Sequence, residues 1–117
     1  MSDEKVDTVR SSSSGLIGRA QSEARGARMI LDSSGRPQPD ALTNSEAFLG
    51  SVSSCGVTLI EGHARDTGVP LTHADVTIEG VRTAADPTRF ARVIMTFELA
   101  GVNQAQAEAL VETHRGR

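Results

Sequence analysis

The sequence contains neither tryptophan nor tyrosine, and it has only three phenylalanines. Proteins that bind single-stranded nucleic acid stack the bases on aromatic side chains, so this composition disfavours that class. The charge disfavours nucleic acid in general, because 12 basic and 15 acidic residues give a net charge of −3 and phosphate binding requires an excess of basic residues. We therefore expect no nucleic-acid partner.

Long apolar runs are also absent. No stretch approaches the roughly 20 apolar residues needed to cross a membrane, and the N-terminal residues lack the apolar centre of a signal peptide. The chain has one cysteine, Cys55, which excludes an internal disulfide and a zinc site made of several thiolates. These absences predict a cytoplasmic protein without a membrane partner.

Other familiar ligand-binding patterns are missing as well. His63, His73 and His114 are not paired four residues apart, so we predict no metal site. Neither GxGxxG nor GxxxxGK occurs, so we expect no nucleotide-binding loop and no cofactor. What is present fits one globular domain over residues 1–117, because 38% of the residues are hydrophobic and the length is typical of a single domain.

The N-terminal third of the sequence predicts short strands. Apolar runs at 5–10, 16–21 and 27–32 are separated by turn-forming residues. The serine run at 11–14 predicts a flexible loop, and the stretch 33–40, which contains two prolines and a glycine, predicts an exposed connection.

A long helix is predicted next. Thr43 and Glu46 have the spacing of a capping box, in which each side chain binds the backbone amide of the other residue. Apolar residues then recur three and four positions apart, and Gly68 and Pro70 are stop signals. The pattern predicts a helix from Thr43 to about Asp66.

Two strands and a second helix complete the pattern. Alternation of apolar and polar residues over 75–79 and 90–99 predicts two half-buried strands. Asn103 and Gln106 have capping-box spacing and predict a short helix over 104–113. Strands and helices are segregated rather than alternating. We therefore predict an α+β fold of two layers, with the long helix packed on an antiparallel sheet.

Cys55 lies about 60° from the middle of the apolar stripe of the long helix and is predicted to lie on its buried face. A free cysteine on such a face packs as a small hydrophobe. The alternative is a reactive thiolate, which needs a nearby cation because the helix dipole contributes little in the middle of a helix. Both interpretations are open at this point.

Arginine supplies nearly all the positive charge, since only Lys5 of the 12 basic residues is a lysine. Arg19, Arg25 and Arg28 fall in the N-terminal strand region. A guanidinium group there can hold a carboxylate in a bidentate pair or stabilise a thiolate. The other interpretation of these arginines is that they are solvated charges at a strand edge.

Glu46 is the one acidic residue that the pattern singles out. It precedes Cys55 by nine positions, which in a straight helix is half a turn out of phase and about 13 Å along the axis, so the two side chains do not touch. Glu46 therefore either caps the helix alone or shares a site with Cys55, in which case the helix start is irregular or an intervening arginine links the two residues.

The segment from Thr43 to Cys55, TNSEAFLGSVSSC, resembles the start of the cysteine-bearing helix of the OsmC/Ohr family, where a glutamate precedes the cysteine by nine or ten positions. The segment from Ala64 to Gly80 is similar to the turn and strand that follow, with the step G-x-P-L and the strand V-x-I-E-G. The run RFARVIMTFELAG resembles the next strand, and 104–113 the next helix. The resemblance spans residues 16 to 115. It depends on the order in which these segments follow one another and not on any single motif.

The resemblance implies a two-layer α+β fold that forms an intertwined homodimer with its active sites at the subunit interface. Many members are thiol peroxidases that reduce organic hydroperoxides in oxidative stress defence. On this basis Cys55 is the peroxidatic thiol, and Glu46 orients an arginine, for which Arg19 is the first choice and Arg28 the second.

The sequence departs from the family pattern at its C-terminal end. The family's peroxidases carry a second cysteine and a further strand after the helix that corresponds to 104–113, and this sequence has neither, so the expected domain is short relative to the family. Turnover then requires an external thiol, such as a dithiol reductant. The alternative is a non-catalytic dimeric module, binding or structural, in which Cys55 is buried and inert.

Overall fold

The structure is a computed structural model that describes residues 4–115. It has the predicted α+β composition, with strands in two antiparallel sheets of order β1-β2-β3 and β4-β5 rather than in one sheet. The chain divides into two compact units, Met1–Phe48 and Leu49–Arg117. The elements are β1 (Arg10–Ser13), β2 (Arg19–Ala24), β3 (Ala27–Asp32), α1 (Asn44–Thr67), β4 (His73–Val81), β5 (Arg92–Ala100) and α2 (Gln104–Arg115).

The sheet of the first unit is a meander of three short strands. β2 pairs with β1 on one side and with β3 on the other, and Arg19 lies opposite Asp32 in the β2–β3 register. The β2–β3 turn is formed by Arg25 and Gly26, with φ values of 55° and 84°. Two successive residues in the left-handed region are typical of the two-residue hairpin turn that matches strand twist. Arg25 therefore serves the turn and does not belong to a strand.

The predicted N-terminal strands are shifted along the sequence. The serine run, expected to be a flexible loop, forms most of β1, because its backbone pairs with β2 and the Ser11 hydroxyl oxygen lies 2.8 Å from that of Ser22. An exposed edge strand needs backbone partners but no apolar side chains, so the sequence pattern did not mark it. Leu16 and Ile17, expected within a strand, lie in the connection before β2 and are exposed.

Helix α1 begins and ends as predicted. The Thr43 amide donates to Glu46 Oε1 at 2.9 Å, and the Glu46 amide donates to Thr43 Oγ1 at 3.1 Å, which confirms the capping box. At the other end, Gly68 has φ of 72°, and the amide of Val69 donates to the carbonyl of Ala64 at 2.9 Å. This hydrogen bond and the left-handed glycine are the Schellman termination that satisfies the last helical carbonyls.

The second unit contains the apolar core of the described residues. Ile60 and Ala64 of α1 and Leu110 of α2 are buried together. Helix α2 starts with the predicted capping box, because the amide of Gln106 donates to the Asn103 side chain at 2.8 Å and the amide of Asn103 donates to Gln106 Oε1 at 3.0 Å. The partly buried residues around this core are Val69, Leu71, Phe97, Leu99 and Val102.

Loss of the α1 cap has a measurable cost. Replacing Thr43 with alanine removes the acceptor for the Glu46 amide, and we expect Thr43→Ala to lower the free energy of unfolding by about 1 kcal/mol. Urea denaturation followed by circular dichroism measures this value. The matched control is Thr58→Ala, because the Thr58 hydroxyl bonds to the Cys55 carbonyl inside the same helix and alanine favours a helix interior. Equal losses in both variants would contradict a special role for the cap.

Candidate functional site

Cys55 lies in α1 and is exposed in the chain. The expectation that it lies on the buried face is therefore wrong for the chain by itself. The buried positions of α1 are Gly56, Ile60 and Ala64, which are four residues apart and form one row along the helix. Cys55 is one position, or about 100°, away from that row. Cys55 is therefore accessible to small reagents or to the surface of a partner.

The His114 side chain packs against α1 at Gly56, which is the residue that follows Cys55. A side chain added at Gly56 would place its first carbon 3.5 Å from the His114 ring and 3.5 Å from the terminal carbon of Met95. The same ring lies edge-on to Phe97, with centroids 5.7 Å apart. The His114 imidazole of α2 therefore packs against α1 at Gly56, a contact that the sequence did not indicate.

Glu46 is engaged at the start of α1. Its carboxylate oxygen Oε1 accepts the Thr43 amide, so the capping function expected of it is present. Glu46 and Cys55 belong to the same continuous helix, nine positions apart. The proposed role of Glu46 in orienting an arginine stays a prediction.

Arg19 is held between two carboxylates of the first unit. Its Nη1 donates to Asp32 at 2.8 Å, and its Nη2 donates to Asp40 at 2.8 Å, with a longer contact of 3.3 Å from Nη1 to Asp40. The Arg19 side chain is 17% exposed. The hydrogen bonds from Asp40 and then Asp32 raise the pKa of Arg19 above its usual value. Both terminal nitrogens of the guanidinium group thus bind carboxylate oxygens.

Asp32 is the buried member of this network, with a side chain that is 1% exposed. Besides Arg19, its carboxylate accepts the Ser34 hydroxyl at 2.6 Å, the Gln38 amide at 3.0 Å and the Ser34 amide at 3.0 Å. These donors, with the Ser34 hydroxyl first, hold the pKa of Asp32 well below its usual range. Asp32 is therefore ionised whenever the chain is folded at neutral pH.

A cleft opens beside the Arg19 network within the first unit. Its volume is about 620 Å³. Two guanidinium groups and one buried carboxylate border it, so its walls carry both signs of charge. The lining residues are Leu16, Arg19, Asp32, Ser34, Gly35, Arg36 and Gln38.

Sequence reasoning identified Arg19 but missed its partners. Asp32 and Asp40 are 13 and 21 positions away, and only the β2–β3 register and the path of the connection bring them to Arg19. The available signal was two aspartates that flank a proline-rich connection. Arg28, the second choice, instead forms an exposed pair with Glu23, with Nε 3.0 Å from the carboxylate.

Within residues 4–115, no group of three histidine, cysteine, aspartate or glutamate side chains is placed to hold a metal ion. No helix in the same part of the chain has the length and apolarity needed to cross a membrane.

Comparison with known proteins defines the class of fold. No family model matches the sequence, and no curated protein matches it. Among solved structures, the chain is similar to an OsmC-like protein from Mycoplasma pneumoniae, with a TM-score of 0.82 and 13% identity over 99% of this chain and 84% of that chain.

Two further solved structures are also similar to this chain. An OsmC-like protein of unknown function from Vibrio cholerae has a TM-score of 0.74 and 12% identity over 96% of this chain and 86% of that one. An organic hydroperoxide resistance protein OsmC from Legionella pneumophila has a TM-score of 0.72 and 20% identity over 96% and 83%. The chain therefore has the OsmC-like fold, which confirms the fold that the sequence resemblance predicted.

The environment of Asp32 predicts a specific pH dependence. Because its pKa is lower in the folded than in the unfolded chain, its interactions stabilise the fold fully above the unfolded pKa of about 4 and are lost as the pH falls towards the folded value. We expect Asp32→Asn to be less stable than the wild type at neutral pH, and the difference to shrink in acid. Urea denaturation across this pH range measures both.

The control for this prediction is Asp7→Asn, which removes one exposed carboxylate. Its stability should follow that of the wild type at each pH. An Asp32→Asn deficit that stays constant down to the lowest pH at which the chain is folded would contradict the assigned role.

Proposed function

We propose that the chain is a cysteine-dependent peroxidase that reduces organic hydroperoxides, with Cys55 as the peroxidatic thiol. The observation that carries the proposal is an exposed cysteine on the long helix of an OsmC-like fold. The similar protein from Legionella pneumophila, which is named as an organic hydroperoxide resistance protein, supports the choice of substrate.

The reaction begins with attack of the Cys55 thiolate on the terminal oxygen of the hydroperoxide. The sulfur–oxygen bond forms as the oxygen–oxygen bond breaks, so sulfur is oxidised by two electrons and the alkoxide leaves and takes up a proton to become an alcohol. An external dithiol then reduces the sulfenic acid. Its first thiol forms a mixed disulfide with release of water, and its second thiol restores the Cys55 thiol and closes the reductant's own disulfide.

The charged residues have separate roles in this proposal. Arg19 stabilises the thiolate, because a guanidinium group beside the sulfur favours its ionised form. Glu46 orients that guanidinium group. Asp32 binds the guanidinium group of Arg19, so in this proposal Asp32 is a positioning residue for Arg19.

We propose further that the working unit is a homodimer with the thiol at the subunit interface. Among described residues 4–48, the buried side chains are Ser22 and Asp32, and none is apolar. Ile17 is 97% exposed, and Met29 and Ile30 of β3 are also exposed. Exposed apolar side chains favour association with a partner, and the outer edges of short sheets offer backbone groups to it.

A second candidate function is a dimeric binding or structural module without peroxidase activity. The network around Arg19 favours it, because two carboxylates already neutralise the guanidinium group. The sequence also lacks a second cysteine that could resolve a sulfenic acid. In that case Cys55 reacts as an ordinary exposed thiol.

The peroxidase proposal predicts rapid oxidation of Cys55. Cumene hydroperoxide in small excess should add one oxygen to Cys55, and a sulfenic-acid trap should capture the product, both measured by mass spectrometry. The rate should exceed that of a free thiol and that with hydrogen peroxide, and Arg19→Gln should slow it at least tenfold through loss of the cation. Cys55→Ser, which lacks the thiol, is the negative control. A rate equal to that of free cysteine, unchanged in Arg19→Gln, would leave the binding module as the better interpretation.

The dimer proposal predicts the mass in solution. Light scattering after size-exclusion chromatography should give twice the chain mass of 12.3 kDa at micromolar concentration. The reason is that the exposed apolar surface of β3 and of the loop before β2 favours association. A monomer across the same concentration range would contradict it.

A further inference from the structure

Strand β5 has an open edge in the second unit. Among residues 4–115 the second sheet contains only β4 and β5, so one side of the β5 backbone pairs with no strand. Edge strands are usually protected from pairing by charged residues or proline. The middle of β5, from Val93 to Phe97, contains neither, and the exposed fractions of Val93 and Ile94 are 46% and 42%. The edge is therefore suited to the addition of another strand.

The two charged residues of β5 have no ion-pair partner within the described part of the chain. Arg92 and Glu98 are both exposed, lie six positions apart and share one face of the sheet. Glu98 lies directly opposite Asp75 of β4 in the strand register. Like charges in this position destabilise a sheet, so a cation on the other side of Glu98 would be stabilising.

We propose that β5 pairs antiparallel with β5 of a second copy of the chain, about a two-fold axis at Met95. Such an axis places each residue before Met95 opposite the residue equally far after it in the other copy. Arg92 then faces Glu98 of the partner subunit, and by symmetry the seam contains two such ion pairs. Val93 faces Phe97 of the partner subunit on the other face of the sheet. A shift of register would lose both matches, so the charges and the apolar residues select the same pairing.

A groove beside β5 adds apolar contact to this pairing. It has a volume of about 480 Å³, and the apolar residues that line it are Phe97 and Leu99 of β5 and Ala107 and Val111 of α2. Because side chains alternate between the faces of a strand, Val93 shares the face of Phe97 and Leu99. Val93 of the partner subunit therefore extends the apolar lining beside Phe97. The seam combines backbone hydrogen bonds, ion pairs and apolar burial.

The β5 contact is separate from the apolar surface proposed above for the homodimer. That surface belongs to β3 and the loop before β2 in the first unit, whereas β5 belongs to the second unit. Two different two-fold contacts on one chain join dimers into larger assemblies such as tetramers. The β5 contact therefore adds an association step of its own, which does not depend on peroxidase activity.

The test reverses the two charges of β5 singly and together in the full chain. Arg92→Glu and Glu98→Arg each place like charges opposite one another across the seam, and each should raise the dissociation constant of the β5 contact at least about tenfold. The double variant Arg92→Glu/Glu98→Arg restores both ion pairs and should associate like the wild type. Lys5→Glu makes the same charge change as Arg92→Glu at an exposed position of the first unit and should also match the wild type. Sedimentation velocity from micromolar to millimolar concentration measures these constants.

Hydrogen exchange locates the contact in the wild type. The amides of β5 should exchange more slowly at high than at low protein concentration, and Arg92→Glu should abolish this difference. The β5 pairing is wrong if the exchange of β5 does not depend on concentration, if either single variant associates as tightly as the wild type, or if the double variant fails to regain association. An equal effect of Lys5→Glu would also overturn it, because net charge alone would then explain the result. Thermal denaturation establishes that each variant is folded.

Discussion

The buried carboxylate of Asp32 is the interaction on which the first unit depends. Donors from Arg19, Ser34 and Gln38 fill the acceptor positions of this carboxylate. Its backbone amide also donates to the carbonyl of Leu42 at 2.8 Å. One residue at the end of β3 therefore fixes a strand, the following connection and the approach to α1. Because no described apolar side chain in this unit is buried, polar bonds carry the organisation that a hydrophobic core provides in the second unit.

The elements that sequence reasoning predicted well are those with local signals. The two capping boxes need residues only three positions apart, and Gly68 ends α1 through its own backbone conformation. The serine strand β1 has no such signal, because an exposed edge strand depends on pairing with β2 and not on its own side chains. The fold class was thus predictable, and the strand positions at the N-terminus were not.

The candidate site was only partly predictable for a related reason. Cys55 and Arg19 could be singled out by residue type, but their surroundings depend on contacts distant in sequence. The buried row of α1 passes through Gly56, against which the His114 ring packs, and Cys55 lies one position outside this row and is exposed. The carboxylates beside Arg19 are likewise brought to it by strand register and by the path of the connection. The periodicity of a single helix or strand indicates neither the exposure of Cys55 nor the carboxylates beside Arg19.

The two functional interpretations differ in one physical quantity, which is the net charge that Arg19 presents to the sulfur. A guanidinium group shared by two carboxylates does little for a thiolate, because each added anion weakens the attraction available to the next. The Asp40 pair is exposed and screened by water, so it withholds less of the charge of Arg19 than the buried Asp32 pair does. The peroxidase proposal therefore requires that Arg19 keep enough positive charge beyond these two pairs to favour an ionised thiol, whereas the binding module has no such requirement.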